Sequence, residues 1–228
     1  MLFEKIDDLL ENNKDVILSI APTYKIAYKE NSLKVLNAVK ALNIPIISET
    51  INGYYIIIDK VKNQLEYRDY LISEACPVIK NLIINKFPKL SKCLDGCCSP
   101  LTNHCSSLKE KYGNDVAIIF VGPCKNKLKE AIRDKSADIC LTFQQLVDYL
   151  EYKNLLKSSK EEAFNFADTL ENVQKDLNII SVDGYKNVIN YLNQINDNKI
   201  MPKGYLMLYS CEEGCVGRTK KISINFNQ

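Results

Sequence analysis

The chain has 228 residues, of which 46% are hydrophobic and 25% charged, a balance typical of a soluble globular protein. Lysine and arginine number 30 against 28 aspartate and glutamate residues, and the net charge of +2 excludes a strong electrostatic attraction to nucleic acid or an anionic membrane. No apolar run approaches the roughly 20 residues that span a bilayer. The acidic, amphipathic N-terminus lacks the basic start and apolar stretch of a signal peptide, so we expect a cytoplasmic protein with no nucleic-acid or membrane partner.

The hydrophobic pattern predicts short strands that alternate with helices. In chain order the predicted elements are a helix over 3–12, a strand over 15–20, a helix over 32–42, strands over 44–47 and 70–72, a helix over 77–86, a helix that begins at Ser99-Pro100, strands over 116–121 and 138–141, a helix that Thr142 caps and that runs through Leu150, a helix over 185–192 and a strand over 205–209. Residues 151–180 are polar and only weakly patterned. This alternation is typical of an α/β fold with a mostly parallel sheet.

Cysteine is the unusual residue of this composition, with nine copies beside a single histidine. A reducing compartment and an odd number both argue against a framework of disulfides. Free cysteines either pack as small buried hydrophobic residues or bind metal as thiolates, in zinc or iron–sulfur sites. Because the chain contains no CxxC pair and no ferredoxin-type cysteine run, distant segments would have to bring the ligands of a cluster together.

Three predicted strands run into a cysteine within a few residues, at Cys76, Cys124 and Cys211, and Cys215 follows closely. Open α/β sheets bind their ligands at the carboxyl ends of the strands. Four thiols that converge there match the ligand count of a [4Fe–4S] cluster. Cys76 also lies at the predicted start of a helix, where unpaired N–H groups favour a thiolate. The alternatives are scattered structural cysteines or a zinc-binding module, although zinc ligands usually come in closely spaced pairs.

Five segments carry a resemblance to a known family: SEACPVIKNLIINKFPKL, CSPLTNHCSSLKEKYG, VAIIFVGPCKNKLKEA, ADICLTFQQLVDYL and LYSCEEGC. Together with KDVILSIAPTY they resemble, in order and spacing over most of residues 14–217, the C-terminal catalytic domain of iron-only ([FeFe]) hydrogenases, in particular its sensory or non-catalytic branch. The resemblance implies an α/β fold of two lobes of mostly parallel sheet flanked by helices, with an iron–sulfur site in the crevice between them. It also implies that residues 1–228 form a single domain without a ferredoxin module.

The resemblance implies roles for individual residues as well. The four ligands of the [4Fe–4S] cluster would be Cys76, Cys124, Cys211 and Cys215, and in catalytic members the counterpart of Cys215 also bridges to a two-iron centre. Lys127 falls where the lysine of the family holds a cyanide of that centre. The residues that fall on the lining of the cofactor pocket are Ala21, Pro22, Ser99 and Pro100.

The chain departs from the catalytic members at several positions near the expected cluster. Ala75 replaces the cysteine that donates a proton, and Gly122 and Tyr209 replace two methionines. Glu212 and Glu213 replace the glycines of a CPGGC segment; they would lower the potential of the cluster if they faced it, or form a solvated turn if they did not. A hydrogenase needs acid and base groups that lead to the metal, so the loss of the first donor argues against a two-iron centre that turns over hydrogen.

We therefore expect a [4Fe–4S] redox protein that serves electron transfer or the sensing of redox state or hydrogen, without strong hydrogenase turnover. Its partner would be a ferredoxin-like redox protein or a signalling protein, because the chain lacks the upstream ferredoxin-like modules of the family. The alternatives are an active hydrogenase, with a two-iron centre and a proton path through Glu74, Cys98 or Glu212, and an iron–sulfur assembly or scaffold protein.

The segment KCLDGCCSPLTNHC holds four further cysteines: Cys93, Cys97, Cys98 and Cys105. A second metal site that includes His104 is one interpretation, but adjacent side chains diverge, and incidental thiols near the pocket are the simpler one. A lone histidine at helical spacing is more often a hydrogen-bonded structural residue than a ligand. Cys140 lies inside an apolar strand, where we expect a core position.

Overall fold

The computed structural model describes residues 2–12, 15–157 and 177–226. Its α-helices are α1 (Leu2–Asn12), α2 (Tyr24–Tyr28), α3 (Ser32–Lys40), α4 (Ile51–Leu65), α5 (Pro77–Lys86), α6 (Pro100–Tyr112), α7 (Lys125–Arg133), α8 (Phe143–Tyr152), α9 (Tyr185–Asn196) and α10 (Gly214–Lys220). Its strands are β1 (Val16–Ile20), β2 (Ile46–Glu49), β3 (Tyr70–Ile72), β4 (Ala117–Val121), β5 (Ile139–Leu141), β6 (Ile179–Asp183) and β7 (Gly204–Tyr209). Short 3-10 helices cover Lys29–Asn31 and Pro88–Cys93. Most of the polar segment 151–180 lies outside the described residues.

The strands form two parallel sheets. The four-stranded sheet has the order β2-β1-β4-β5, and the three-stranded sheet has the order β3-β7-β6. Along the chain, β1 and β2 belong to the four-stranded sheet, β3 belongs to the three-stranded sheet, and β4 and β5 belong again to the four-stranded sheet. The last two strands, β6 and β7, complete the three-stranded sheet. Parallel neighbours need long crossover connections, and here helices supply them. The predicted α/β fold with mostly parallel sheets is confirmed.

Helices cover both faces of each sheet, so the molecule consists of two three-layered lobes. In the first lobe α1, α2, α3 and α8 pack on one face of the four-stranded sheet, and α6 and α7 pack on the other. In the second lobe α5 and α9 cover one face of the three-stranded sheet and α4 covers the other. Strands β1 and β4 are buried along their whole length, which explains their continuous apolar sequences VILSI and AIIFV.

Helix packing joins the two lobes. Helices α4 and α6 come so close at Gly53 that a Cβ atom there would lie 1.9 Å from the carbonyl oxygen of Pro100 and 2.7 Å from the backbone nitrogen of His104. Only glycine permits this approach. A second contact links α10 to α2, where Thr219 Oγ1 lies 3.0 Å from Thr23 Oγ1. These contacts hold the carboxyl ends of the two sets of strands near each other.

The structure contains elements that the hydrophobic pattern does not predict, among them α2, α4, α7, α10 and β6. The predicted strand over 44–47 is observed at Ile46–Glu49, where the pairing of Ile17 with Ile46 sets its register on β1. The predicted helix over 32–42 ends at Lys40. Within the described ranges, no helix has both the length and the apolar character needed to cross a membrane.

Candidate metal centre

The carboxyl ends of the strands carry most of the residues that the sequence analysis singles out. Because the strands of each sheet are parallel, their carboxyl ends share one edge of that sheet. At the edge of the first lobe, β1 continues into Ala21-Pro22 and β4 into Gly122-Pro123-Cys124. At the edge of the second lobe, β3 continues into Ser73-Glu74-Ala75-Cys76 and β7 into Ser210-Cys211.

Cys76 and Cys124 occupy equivalent positions in the two lobes. Each is the residue immediately before a helix, α5 and α7 respectively, and Pro77 opens α5 as predicted. The first N–H groups of a helix have no partner inside it, and its N-terminus carries a partial positive charge, so each cysteine lies at a helix end that attracts negative groups. Helices α5 and α7 pack against each other across the boundary between the lobes.

The four predicted cysteine ligands lie near one another at the junction of the two lobes, here called the crevice. Cys76 Sγ lies 3.6 Å from Ser210 Oγ, which lies 3.9 Å from Cys211 Sγ. Cys215 is accessible to solvent, yet burial by the surrounding protein raises the pKa of its thiol to about 11, and Cys76, Cys124 and Cys211 are all near enough to raise it further. The first lobe contributes Cys124, and the segments that follow the strands of the second lobe contribute the other three.

The number and the chemical type of these thiols are those of a four-iron cluster. Two sulfur ligands of one tetrahedral zinc ion lie about 3.8 Å apart, as the Zn–S bond length requires. Within the described residues, no three histidine, cysteine, aspartate or glutamate side chains are grouped to hold one ion. A four-iron cluster instead takes one thiolate at each of its iron atoms and separates them more widely. The four thiols therefore fit a [4Fe–4S] cluster in number, type and common location.

The loop that carries Cys76 rests on a buried polar network. Asp95 Oδ1 accepts a hydrogen bond from the backbone N–H of Cys97 at 2.8 Å, and its Oδ2 lies 2.7 Å from the Tyr205 hydroxyl and 3.4 Å from the backbone nitrogen of Glu74. The same Tyr205 hydroxyl lies 2.9 Å from Ser73 Oγ. Burial raises the pKa of the Asp95 carboxyl. Asp95 is not predicted as a site residue, because Asp-Gly has the sequence pattern of an ordinary turn.

Lys127 lies beside the cysteines, close enough to lower the pKa of Cys215. Its ammonium also pairs with Glu130, Nζ to Oε2 at 2.8 Å, and both side chains are largely buried. Glu130 is a second residue that the sequence analysis missed, and its spacing of three residues from Lys127 on one helix is the signal that could have found it. Lys127 therefore already has an ion-pair partner, Glu130, on its own helix.

The four residues predicted to line the pocket lie at two places. Ala21 is at the crevice edge of the first lobe, where its N–H donates to the carbonyl of Val121 at 2.8 Å, and Pro22 directly follows it. Ser99 caps α6 by accepting a hydrogen bond from the N–H of Thr102 at 3.3 Å, and Pro100 meets Gly53 of α4. In the described part of the chain, no hydrogen bond joins Ser99 or Pro100 to any of the four cysteines.

Comparison with known proteins decides the family. Residues 14–171 match the model of the iron only hydrogenase large subunit, C-terminal domain. The chain belongs to this family. No match was found among curated proteins.

Solved structures share the fold of this hydrogenase-family chain. An [FeFe]-hydrogenase described for stepwise H-cluster assembly aligns with a TM-score of 0.72 and 15% identity, over 93% of this chain and 83% of that chain. A variant of the [FeFe]-hydrogenase HydA1 from Chlamydomonas reinhardtii aligns with a TM-score of 0.72 and 14% identity, over the same 93% and 83%. An [FeFe]-hydrogenase described for oxygen inactivation aligns with a TM-score of 0.70 and 14% identity, over 95% and 84%. The predicted two-lobed fold is confirmed, and the assignment to a sensory or non-catalytic branch stays a prediction.

In this hydrogenase-family chain, tyrosines occupy one wall of the crevice. The Tyr209 ring lies over Gly214, where a Cβ atom would be 3.4 Å from its Cγ, and burial raises the pKa of its hydroxyl, as do the nearby Cys215 and Cys76. Tyr54 points its hydroxyl at Met207 Sδ from 3.2 Å. Tyr209 is recognisable in the sequence by its departure from the family, whereas Tyr54 is not, because the hydrophobic pattern predicts no element over α4.

Glu212 and Glu213 lie on the outside of the molecule. Both side chains are exposed; Glu212 pairs with Lys221 at 3.0 Å and Glu213 pairs with Lys220. Of the two interpretations left open by the sequence, the solvated turn is the one observed. These carboxylates are therefore not expected to change the potential of a bound cluster strongly.

The remaining thiols are dispersed. Cys97 and Cys105 are buried in different core clusters, Cys98 is exposed, and Cys93 Sγ lies 3.4 Å from the Tyr70 hydroxyl. Cys140 is half-buried and packs against the core of the first lobe. In the part of the chain that the structure describes, these thiols do not join any group of three side chains able to hold a metal ion.

His104 is a structural residue, as the sequence analysis favours. Its ring is buried, with Nδ1 at 2.9 Å from Ser19 Oγ and Nε2 at 2.8 Å from Ser48 Oγ. It therefore links α6 to both β1 and β2, and neither ring nitrogen is left for a metal.

Proposed function

We propose that this hydrogenase-family chain binds one [4Fe–4S] cluster through Cys76, Cys124, Cys211 and Cys215 and uses it for electron transfer or for sensing redox state or hydrogen, without strong hydrogenase turnover. The observation that supports the proposal is the proximity of four thiols from both lobes. When bound, the cluster would supply one-electron redox chemistry. The protein would hold four thiolates, shield them from bulk water and offset their negative charge. Lys127 is near enough to Cys215 to contribute to that offset.

The surroundings of Cys76 argue against proton delivery to this site. Ala75 offers a methyl group where a donor would be needed. Glu74 is buried and already engaged by Lys80 and by the backbone N–H of Gly96, which donates to its Oε1 at 3.2 Å. Glu212 is exposed and paired with Lys221. The residues considered for an altered proton path therefore have other partners or face solvent, which favours a redox role over turnover.

The partner that we propose is a ferredoxin-like redox protein with an acidic surface. Cys215 is accessible to solvent, so an electron could enter or leave at this side of the crevice. Lys125, which directly follows Cys124, and Arg218, three residues after Cys215, are exposed, and such positive groups would steer an acidic partner. A signalling protein that reads the state of the cluster is the other partner class. Nine free cysteines suit a reducing compartment such as the cytoplasm.

The direct test is the iron and acid-labile sulfide content of anaerobically purified chain, with an EPR spectrum after dithionite reduction. We expect about four iron and four sulfide per chain and the signal of a reduced cluster. Cys76→Ala and Cys124→Ala should lose the iron, whereas Cys140→Ala, a half-buried thiol of the first lobe outside the crevice, should retain it.

Other iron contents would change the conclusion. About six iron per chain would favour the hydrogenase alternative with a two-iron centre. Iron near zero after anaerobic reconstitution would overturn the proposal, and a colourless protein that takes zinc in place of iron would support the zinc module instead. Full iron in both crevice variants would show that the ligand assignment is wrong.

A further inference from the structure

The residues that follow α10 form an extended segment on the surface of the first lobe, residues 222–226, here called the strap. Its side chains alternate between half-buried and exposed, with Ile222, Ile224 and Phe226 half-buried and Ser223 and Asn225 exposed. A period of two is that of an extended chain with one side against a surface. Ile224 and Phe226 pack against the hydrophobic core of the first lobe, so the apolar side of the strap is the side that docks.

Gln144 on α8 holds the strap by its backbone. Its Nε2 donates to the carbonyl oxygen of Asn225 at 3.0 Å, and its Oε1 accepts a hydrogen bond from the backbone N–H of Asn225 at 2.8 Å. One side-chain amide thus pairs with both polar backbone groups of one residue, as a neighbouring strand would. The Phe226 ring also packs edge to face on Tyr28 of α2, with ring centroids 6.4 Å apart. Two helices of the first lobe therefore hold the strap.

The stretch of chain that ends in the strap begins in the second lobe and carries two of the proposed ligands. Strand β7 runs into Cys211, α10 contains Cys215, and the strap follows α10. On α10, Thr219 Oγ1 lies 2.8 Å from the carbonyl oxygen of Cys215 and 3.0 Å from Thr23 Oγ1 of the first lobe. The docking of the strap therefore also fixes α10, and with it Cys215, against the first lobe.

The two connections between the lobes differ in how easily they open. At Gly53, α4 and α6 are in backbone contact, and the buried His104 ties α6 to β1 and β2. In contrast, the hydrogen bonds between Gln144 and Asn225 are exposed to solvent, and the apolar side chains of the strap are only partly buried. Segments with exposed hydrogen bonds and few buried contacts open at the lowest cost in free energy. The strap should therefore detach while the contact of α4 with α6 stays closed.

We propose that the strap is a gate for the metal centre: its release from Gln144 and Tyr28 frees α10 and opens the crevice beside Cys215 to iron and sulfide, and its docking closes the crevice again. This inference rests on the proposed function. Cys215 is the exposed member of the four proposed ligands, so the crevice is already accessible on the side where α10 would move. Uptake and loss of iron pass through the same open state, so a weaker strap speeds both.

Hydrogen exchange of the iron-free full chain measures the gate without the cluster. Gln144→Ala removes the amide, and Phe226→Ala removes the ring. Each variant should speed exchange of the backbone amides of α10 about tenfold and leave those of α4 unchanged. The matched control is Gln194→Ala, which truncates an exposed glutamine on α9 of the second lobe and should leave exchange in α10 as in wild type.

Iron kinetics separate a gate from a purely structural contact. Uptake is followed anaerobically by visible absorbance after addition of ferrous iron and sulfide, and loss is followed after addition of a chelator. Gln144→Ala and Phe226→Ala should each speed both uptake and loss about fivefold or more, whereas Gln194→Ala should stay within about twofold of wild type. A strap that only stabilises the fold would speed loss without speeding uptake, and that result would overturn the gate. Gln144→Ala keeps the test available if Phe226→Ala does not fold.

The outcomes distinguish this inference from the function on which it rests. If wild-type chain binds four iron but the strap variants take up and lose iron no faster than Gln194→Ala, the gate is wrong and the cluster assignment stands. Unchanged exchange of α10 in both strap variants would also refute the gate, because docking of the strap would then not control α10. If wild-type chain takes up no iron, the proposed function fails, and the gate fails with it.

Discussion

Acid should destabilise the first lobe through the only histidine of the chain. His104 is 1% exposed, and each of its ring nitrogens faces a serine hydroxyl, of Ser19 and Ser48. Burial lowers the pKa of His104 to about 4 from an ordinary value of 6.5. A neutral ring satisfies both serines with one N–H and one lone pair, whereas a protonated ring would bring an unpaired charge into the core.

The sign and size of the effect follow from these two values. The pKa of His104 is lower in the folded chain than in the unfolded chain, so the unfolded chain takes up a proton first as the pH falls. The free energy of unfolding is therefore highest above pH 6.5 and decreases as the pH falls towards 4. The full difference corresponds to about 3 kcal/mol, and about 2 kcal/mol of it should disappear between pH 7 and pH 5, where the unfolded histidine is protonated and the folded one is not. Asp95 opposes this trend, because burial raises its pKa and the fold then favours its protonated form.

Urea unfolding followed by far-UV circular dichroism at pH 7, 6 and 5, at constant ionic strength, measures this loss. The matched variant is His104→Gln, which keeps a donor and an acceptor but cannot titrate. It should be less stable than wild type at pH 7 and should lack the fall of about 2 kcal/mol between pH 7 and pH 5. Equal pH slopes in the two proteins, or a ring that titrates near pH 6.5 by NMR, would refute the reasoning.

Three further substitutions test packing and capping by urea unfolding at neutral pH. Gly53→Ala should cost about 3 kcal/mol, because the added Cβ overlaps the carbonyl oxygen of Pro100; a wild-type midpoint would mean that α4 and α6 are not so close. Asp95→Ala should cost about 3 kcal/mol, against about 1 kcal/mol for Tyr205→Phe, because it leaves the buried backbone N–H groups of Cys97 and Glu74 without their acceptor, while the Tyr205 hydroxyl keeps Ser73; equal costs would contradict the network. Thr142→Ala should cost about 1 kcal/mol by breaking a capping box, whereas no change would show that the cap is not formed.

The strand ends and the cysteines that follow them are predictable from local sequence, because both are local properties. Strands buried on both faces are continuous apolar runs, so the patterns over 15–20 and 116–121 predict the observed Val16–Ile20 and Ala117–Val121 closely. Proline is favoured in the first position of a helix, so Pro77 places the start of α5 and with it the position of Cys76. The family resemblance rests on the same short segments, and the two-lobed fold that it implies is the one observed.

Tertiary structure alone decided the elements and contacts that depend on distant partners. Helix α4 contains Gly53 and a β-branched run, which disfavour a helix locally, and it forms because it is buried between α6 and the three-stranded sheet. Asp95 belongs to the network behind Cys76 only because Tyr205, 110 residues further along the chain, reaches it. Sequence shows that the cysteines follow strands, but their meeting depends on how two separately formed lobes pack, and no local pattern of residues encodes that packing.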